Sequence, residues 1–371
     1  MKPHEPLRLK TFYEMAIKSI ITGTGSSFPG RRIENAHFEN FIFYDKDGRP
    51  MSKSGKEIVQ KLEVISGIKE RRYVREEEDS SNILAEASQN AIADAGIDRN
   101  EIGAIIVAHN AGNMLANAKG TFHPIPNLAA VLKNRLHIEN HECVAYDILF
   151  GCPGWVQGAI QANLLIQAGE AKHVLVVGVE VLSRLLDPHQ MDSMLLGDGC
   201  GAVLFSAAEN STEGVLSWAT FSHALDDLHH ISLGPSLNPN VEGHCFFKMN
   251  GKEVYRYAAT WMPQVIQKAL DKVRLTPRDI DLFFFHQANA KMLTAIARNL
   301  MQLYGQEKEP YEHKIPSNIA FTGNTSVATI PTLFDLIKRG KMDGFRLEKG
   351  QKYVFASVGA GMHCNALVYQ G

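Results

Sequence analysis

The chain is 371 residues long, with 38 Lys and Arg against 40 Asp and Glu and a formal net charge of -2. That length holds one large domain or two of ordinary size, the mixed charge gives no electrostatic case for nucleic acid, and no apolar stretch approaches the roughly 20 residues a membrane helix needs. The five cysteines (143, 152, 200, 245 and 364) are odd in number, dispersed and without CxxC spacing; they argue against zinc and predict a reducing compartment, read here as the cytoplasm.

In chain order, residues 1–17 read as an N-terminal extension with two lysines and an arginine but no apolar h-region. A polar insertion, Phe43-Tyr44-Asp45-Lys46-Asp47-Gly48-Arg49-Pro50, precedes Ser66-Gly67-Ile68-Lys69-Glu70-Arg71-Arg72. From Ala91 to Val107 a helix end leads through a polar turn and Glu101-Ile102 into a buried strand, and Ala269 to Phe285 repeats the pattern with Asp279-Ile280. A second echo sets Ala168-Gly169 before the strand at 173–178, as Arg339-Gly340 stands before the strand at 352–359. Helices alternating with continuous apolar strands predict sheets covered on both faces. The repetition predicts two α/β halves, 18–210 and 211–371, sharing one rigid interface with no low-complexity linker.

Three segments carry candidate chemistry. In Tyr146-Asp147-Ile148-Leu149-Phe150-Gly151-Cys152-Pro153-Gly154-Trp155 a cysteine stands where a strand gives way to a helix; the partial positive charge of a helix N-terminus lowers a thiol pKa toward the reactive thiolate. Phe285-His286-Gln287-Ala288-Asn289 and Thr322-Gly323-Asn324-Thr325-Ser326 each place a polar side chain at a strand end or in a glycine turn. Each has a plainer reading: a packed small hydrophobe for Cys152, a satisfied core histidine for His286, a left-handed turn for Asn324. Asp198 in Gly197-Asp198-Gly199 reads as a structural residue orienting its turn, and Cys364 as core.

Together with Ser66–Arg72, Gly197–Gly199 and Gly359-Ala360-Gly361, these segments resemble the Cys-His-Asn condensing enzymes of the thiolase superfamily, most closely β-ketoacyl-acyl-carrier-protein synthase III, over about Ser19 to Gly371. The resemblance implies a thiolase fold: duplicated α-β-α-β-α halves with mixed five-stranded sheets in layers, as a homodimer. It implies an acyl-Cys152 intermediate and its decarboxylative Claisen condensation with a malonyl or 3-ketoacyl carrier thioester, with His286 and Asn324 donating to the enolate oxygen and the N–H groups of Cys152 and Ala360 forming an oxyanion hole. No cofactor beyond phosphopantetheine-borne thioesters, on acyl carrier protein or CoA, is implied. Alanine at 360 stands where the family usually has glycine, which puts the local dihedrals in question. Cys364 follows the glycine turn, whereas the second cysteine of thiolases precedes it, so decarboxylative condensation is favoured over thiolysis.

Two departures bear on the donor. The tryptophan that stacks on adenine in acetyl-CoA-dependent relatives is absent from Gln60-Lys61-Leu62-Glu63-Val64-Ile65, and the adenine-contacting arginine after Pro188 is replaced by His189-Gln190-Met191-Asp192-Ser193. Both changes favour a carrier-borne donor, with the insertion near the tunnel mouth capping it or meeting the carrier. Acidic carriers call for a basic rim; Lys291, Lys252, Arg256 and Lys61 are candidates, with Asn289 as a further substrate contact, and a solvated face is the alternative for any one of them. Three readings stay open: a fatty-acid initiator or a specialised (aromatic) lipid enzyme; an acyltransferase passing the group on Cys152 to an oxygen or nitrogen acceptor; and a non-catalytic partner subunit, against which the intact Cys152, His286 and Asn324 stand.

Overall fold

The strand Ala104–His109 is buried at every position, and the two-residue period divides its side chains between two neighbourhoods. Ala104, Ile106 and Ala108 face a central cluster, Ile105 and Val107 an outer one. Leu282–Phe285 repeats the division: Leu282 and Phe284 join the same central cluster, Phe283 and Phe285 a third. Strands covered on both faces need no polar alternation, which is why these runs read as continuously apolar. The computed structural model describes residues 17–116, 123–242 and 245–371. The N-terminal extension, Ile17 apart, lies outside the described residues.

The first sheet has five strands in the order Lys18–Ser27, Gly199–Ala208, His173–Glu180, Ala104–His109 and Val144–Leu149. The second runs Gly214–Ser222, His363–Gln370, Lys352–Gly359, Leu282–Phe285. Both are mixed. Ala104–His109 is parallel to its two neighbours while Gly199–Ala208 is antiparallel; Leu282–Phe285 is parallel to Lys352–Gly359 and His363–Gln370 antiparallel to it. Position for position the orders correspond, as a duplicated fold requires.

Among the described residues the correspondence ends one strand short, because five were expected in each sheet. At the vacant edge the chain reads Ile315-Pro316-Ser317-Asn318. Its flanks are tied to both ends of Leu282–Phe285, Lys314 Nζ to the Ile280 carbonyl at 2.7 Å and Ser317 Oγ to Gln287 Oε1 at 2.7 Å. Pro316 has no N–H to give a ladder.

Helices Gly154–Gln167 and Thr329–Lys338 fill the space between the sheets. There Phe284 sits 5.1 to 5.9 Å from the rings of Phe355, Phe334 and Tyr353, and each such ring contributes on the order of 1.5–3 kcal/mol through burial alone. Ser80–Ala95 and Leu128–Arg135 cover the outer face of the first sheet, Gly251–Lys272 and Ala290–Leu303 that of the second. The layers are thus helix, sheet, helix, sheet, helix. Both central helices stop at a left-handed glycine, Gly169 at φ 76° and Gly340 at φ 65°, which explains the second sequence echo.

Candidate active site

Val144–Leu149 ends in the turn Phe150-Gly151-Cys152-Pro153, from which the central helix Gly154–Gln167 departs. Gly151 takes φ 66°. A Cβ on it would lie 2.6 Å from the Ala360 nitrogen, and a Cβ on Gly359 would lie 2.5 Å from the Cys152 nitrogen. Two turns from opposite sheets therefore meet backbone to backbone, an approach only glycine permits. The N–H groups of Cys152 and Ala360 come into one neighbourhood. The alanine at 360 does not disturb the turn, because Gly361 is the residue that adopts the left-handed φ, at 95°.

Cys152, His286 and Asn324 line one narrow cavity, with Ser326 beside them and Phe247, Met249, Val254 and Met292 in its apolar wall. His286 follows the strand Leu282–Phe285, and burial pushes its pKa down to about 4, so the ring is neutral at neutral pH. Its Nδ1 lies 2.9 Å from Thr329 Oγ1, which also lies 2.9 Å from the Ser326 carbonyl. Thr329 has one proton. Given to Nδ1, it leaves Nε2–H as a donor; given to the carbonyl, it leaves Nε2 as an acceptor.

Asn324 has no such ambiguity. Its Oδ1 accepts the Ser326 N–H at 2.8 Å, so its NH2 is the end left for a ligand. Its backbone is clamped by Leu195 O and Gly197 N, at 2.8 and 2.9 Å.

The thiol departs from expectation. Cys152 reaches the cavity, but protein packed round the sulfur removes most of its water, and this burial pushes the pKa up to about 12. The Ser326 hydroxyl, 3.2 Å from Sγ, pulls it down and the Glu180 carboxyl pushes it up. The expected lowering by the helix N-terminus is thus reversed, with loss of solvation as the larger effect.

Three residues were not singled out in the sequence. Asn110 Nδ2 donates to Ser326 Oγ at 2.7 Å and also to Glu180 Oε2. Glu180 ends the strand His173–Glu180, and burial raises its pKa to about 7. A carboxylate closing an otherwise apolar strand was the available signal. Thr329 follows the Asn324 motif closely and reads as an ordinary helix-start residue.

Asp198 accepts from the Val74 N–H, the Ser183 N–H and the Ser183 hydroxyl at 2.9, 2.9 and 2.5 Å, knitting its turn to two other segments. Cys364 is wholly buried in the outer cluster of the second sheet, near the Tyr257 hydroxyl, and does not line the cavity.

Farther out, Asn289 caps the helix Ala290–Leu303, its Oδ1 accepting Met292 N–H at 2.8 Å. Lys291 and Lys252 are exposed in the first turns of the two helices that carry the cavity residues Met292 and Val254. Arg256 is exposed and paired with Glu253 at 2.6 Å. Lys61 is exposed on Gly55–Ser66, the helix whose closing Gly67 abuts Ala290. The insertion folds back on itself through a Tyr44–Pro50 bridge and docks on the loop after Pro188, with Tyr44 N–H on the His189 carbonyl at 2.9 Å. Phe43 is buried in a local cluster, and His189 is engaged by Ile42 and Asn238.

Residues 146–224 match the family of 3-oxoacyl-[acyl-carrier-protein (ACP)] synthase III and residues 270–370 its C-terminal part. A β-ketoacyl-[acyl-carrier-protein] synthase III of Staphylococcus saprophyticus is 32% identical over 348 residues, covering 94% of this chain and 97% of its own. The crystal structure of the Aquifex aeolicus 3-oxoacyl-[acyl-carrier-protein] synthase III superposes with a TM-score of 0.77 at 26% identity, over 95% of this chain and all of that one. The priming β-ketosynthase of the R1128 polyketide pathway shares the fold, with a TM-score of 0.77 at 24% identity over 95% and 96% of the two chains. The chain belongs to the 3-oxoacyl-[acyl-carrier-protein] synthase III family.

Proposed function

We propose that this chain is a decarboxylating condensing enzyme that joins an acyl group, held on Cys152, to a malonyl thioester on a carrier. The observation that supports this most is the meeting of Cys152, His286 and Asn324 in one cavity beside the paired turns of Cys152 and Ala360. In the first half-reaction the Cys152 sulfur attacks an acyl thioester and expels the carrier thiol. In the second, the C–CO2⁻ bond of the malonyl group breaks, carbon dioxide leaves, and charge builds on the thioester oxygen. The Asn324 amide and the Nε2–H form of His286 would donate to that oxygen. The resulting carbanion attacks the acyl-Cys152 carbonyl, whose oxygen turns to the N–H groups of Cys152 and Ala360, and collapse releases the 3-oxoacyl product and the sulfur.

Lys291, Lys252, Arg256 and Lys61 lie on three neighbouring helices around the cavity and suit an acidic carrier protein. Neither aromatic stacking nor an arginine is offered at 60–65 or after Pro188, which favours the carrier-borne donor over CoA. A homodimer is supported by the edge strand Val144–Leu149, where Val144 and Leu149 are 52% and 71% exposed on an edge without a partner strand among the described residues. No helix of the described residues is long and apolar enough to cross a membrane; the cytoplasm remains the proposed compartment. Incubation with an acyl carrier and a malonyl carrier should give a 3-oxoacyl carrier and carbon dioxide. Product formation undiminished in Cys152→Ala would refute the reading.

A further inference from the structure

Glu180 has no part in the chemistry above, yet it is 2% exposed within reach of the nucleophile. No Lys or Arg pairs with it among the described residues. A buried carboxyl without a cation is costly to keep, and such groups gather at reactive sites. The groups facing it come from two segments. Asn110, just beyond Ala104–His109, donates through both its side chain and its backbone N–H, the latter at 3.4 Å. His109, next to Asn110, is bonded through Nε2 to Asp147 at 2.8 Å and accepts the Gly112 N–H on Nδ1 at 2.9 Å. Ser326, from the turn after Asn324, shares the Asn110 amide with the Glu180 carboxyl, its hydroxyl 2.7 Å from Asn110 Nδ2, and presents that hydroxyl to Cys152 Sγ at 3.2 Å.

Ser326 is held there firmly. It adopts a left-handed φ of 52°, unusual for a non-glycine, and is fixed by Asn324 Oδ1 on its N–H, by Thr329 on its carbonyl and by Asn110 on its hydroxyl. A thiol stripped of most of its water is better served by a protein group than by solvent in giving up its proton. The Ser326 hydroxyl is in contact with the sulfur, and the Asn110 amide joins that hydroxyl to the Glu180 carboxyl.

We infer that Glu180 is the proton acceptor for the Cys152 thiol, reached through the Ser326 hydroxyl and aligned by Asn110. The inference rests on Cys152 being the nucleophile. As the sulfur attacks the thioester carbonyl, the S–H proton passes to Ser326 Oγ while the Ser326 O–H proton passes to a Glu180 oxygen. The Cys152 S–C bond forms and the substrate C–S bond breaks. The departing thiolate takes the proton back from Glu180 by the same hydroxyl, so no outside acid, base or oxidant is needed. Burial holds Glu180 near 7, where it exchanges a proton readily at neutral pH.

The test is the pH dependence of Cys152 alkylation by iodoacetamide in the full-length protein, read by mass spectrometry of the Cys152 peptide. The parent rate should rise through an inflection near 7. Glu180→Gln and Ser326→Ala should each lose the inflection and react about a hundredfold more slowly at pH 8, while Glu180→Asp should regain the inflection. Removing a carboxylate that only repels the thiolate would instead speed alkylation; a faster or unchanged Glu180→Gln overturns the inference. So does a parent profile with no inflection near neutrality, which needs no variant to fold. Loading the parent from an acyl thioester separates the two ideas: an intact alkylation profile with no acyl-Cys152 refutes the condensing reading and leaves the proton path standing.

Discussion

Replacing Asn324 by alanine has two consequences that the geometry separates. The first is catalytic. The NH2 is the free end of this side chain, and loss of one preorganised donor to a developing oxyanion costs about a hundred- to thousand-fold in rate, roughly 2.7–4 kcal/mol. The second is structural. Oδ1 accepts the buried Ser326 N–H at 2.8 Å, and leaving that group unpaired costs about 1–3 kcal/mol of stability. Carbon dioxide release from malonyl carrier should therefore collapse in Asn324→Ala, while acyl loading of Cys152, in which the amide takes no part, stays within about tenfold of parent. The assay pairs stopped-time carbon dioxide release with intact-mass measurement of loading, and a thermal melt reports the second cost. Decarboxylation at the parent rate would refute the donor role. Loss of loading together with decarboxylation would show that the residue acts on the nucleophile instead.

Thr329→Val removes the single hydroxyl proton that His286 Nδ1 and the Ser326 carbonyl share, and an unpaired buried Nδ1–H is costly, so the ring should settle as Nε2–H. Decarboxylation should survive within about tenfold, with the tautomer read from the ring ¹⁵N shifts; its collapse would make Nε2 a proton acceptor. Glu180 is held near 7 against an ordinary 4.5. Its unfolded state ionises first, so the parent loses on the order of 3 kcal/mol of stability as pH rises through that window. Glu180→Gln should match the parent at pH 4.5 and exceed it at pH 8 in denaturant melts, and equal pH slopes would show that the carboxyl is not held protonated. Lys291→Glu should slow loading from an acyl carrier protein more than loading from the matched acyl-CoA, an effect that fades with added salt; equal slowing of both donors would remove Lys291 from the carrier rim.

The layered fold was legible because burial on both faces leaves a simple trace: Ala104–His109 and Leu282–Phe285 are apolar without alternation. The Cys152, His286 and Asn324 motifs were legible because each occupies a turn or strand end that only a few residue types tolerate. What escaped depends on packing between distant segments. The fifth strand of the second sheet is not found among the described residues; Pro316 stands at that edge, whose identity emerges only once the halves are aligned. The direction of the Cys152 shift follows from water exclusion by residues from four or more segments, and no local spacing encodes that. Glu180 looked like the polar end of a strand; its proximity to Asn110 and Ser326 joins residues 70 and more positions apart. For the exposed cations charge reversal decides their role.

The claim on which the rest depends is that an acyl group resides on Cys152. Peptide mass spectrometry after brief exposure to an acyl carrier protein tests it directly, with Cys364→Ala as the internal control because that sulfur is sealed in the core. The account predicts a mass increase of one acyl group on the Cys152 peptide in the parent and in Cys364→Ala, and none in Cys152→Ala. An acyl group retained by Cys152→Ala, or lost with Cys364, would contradict it.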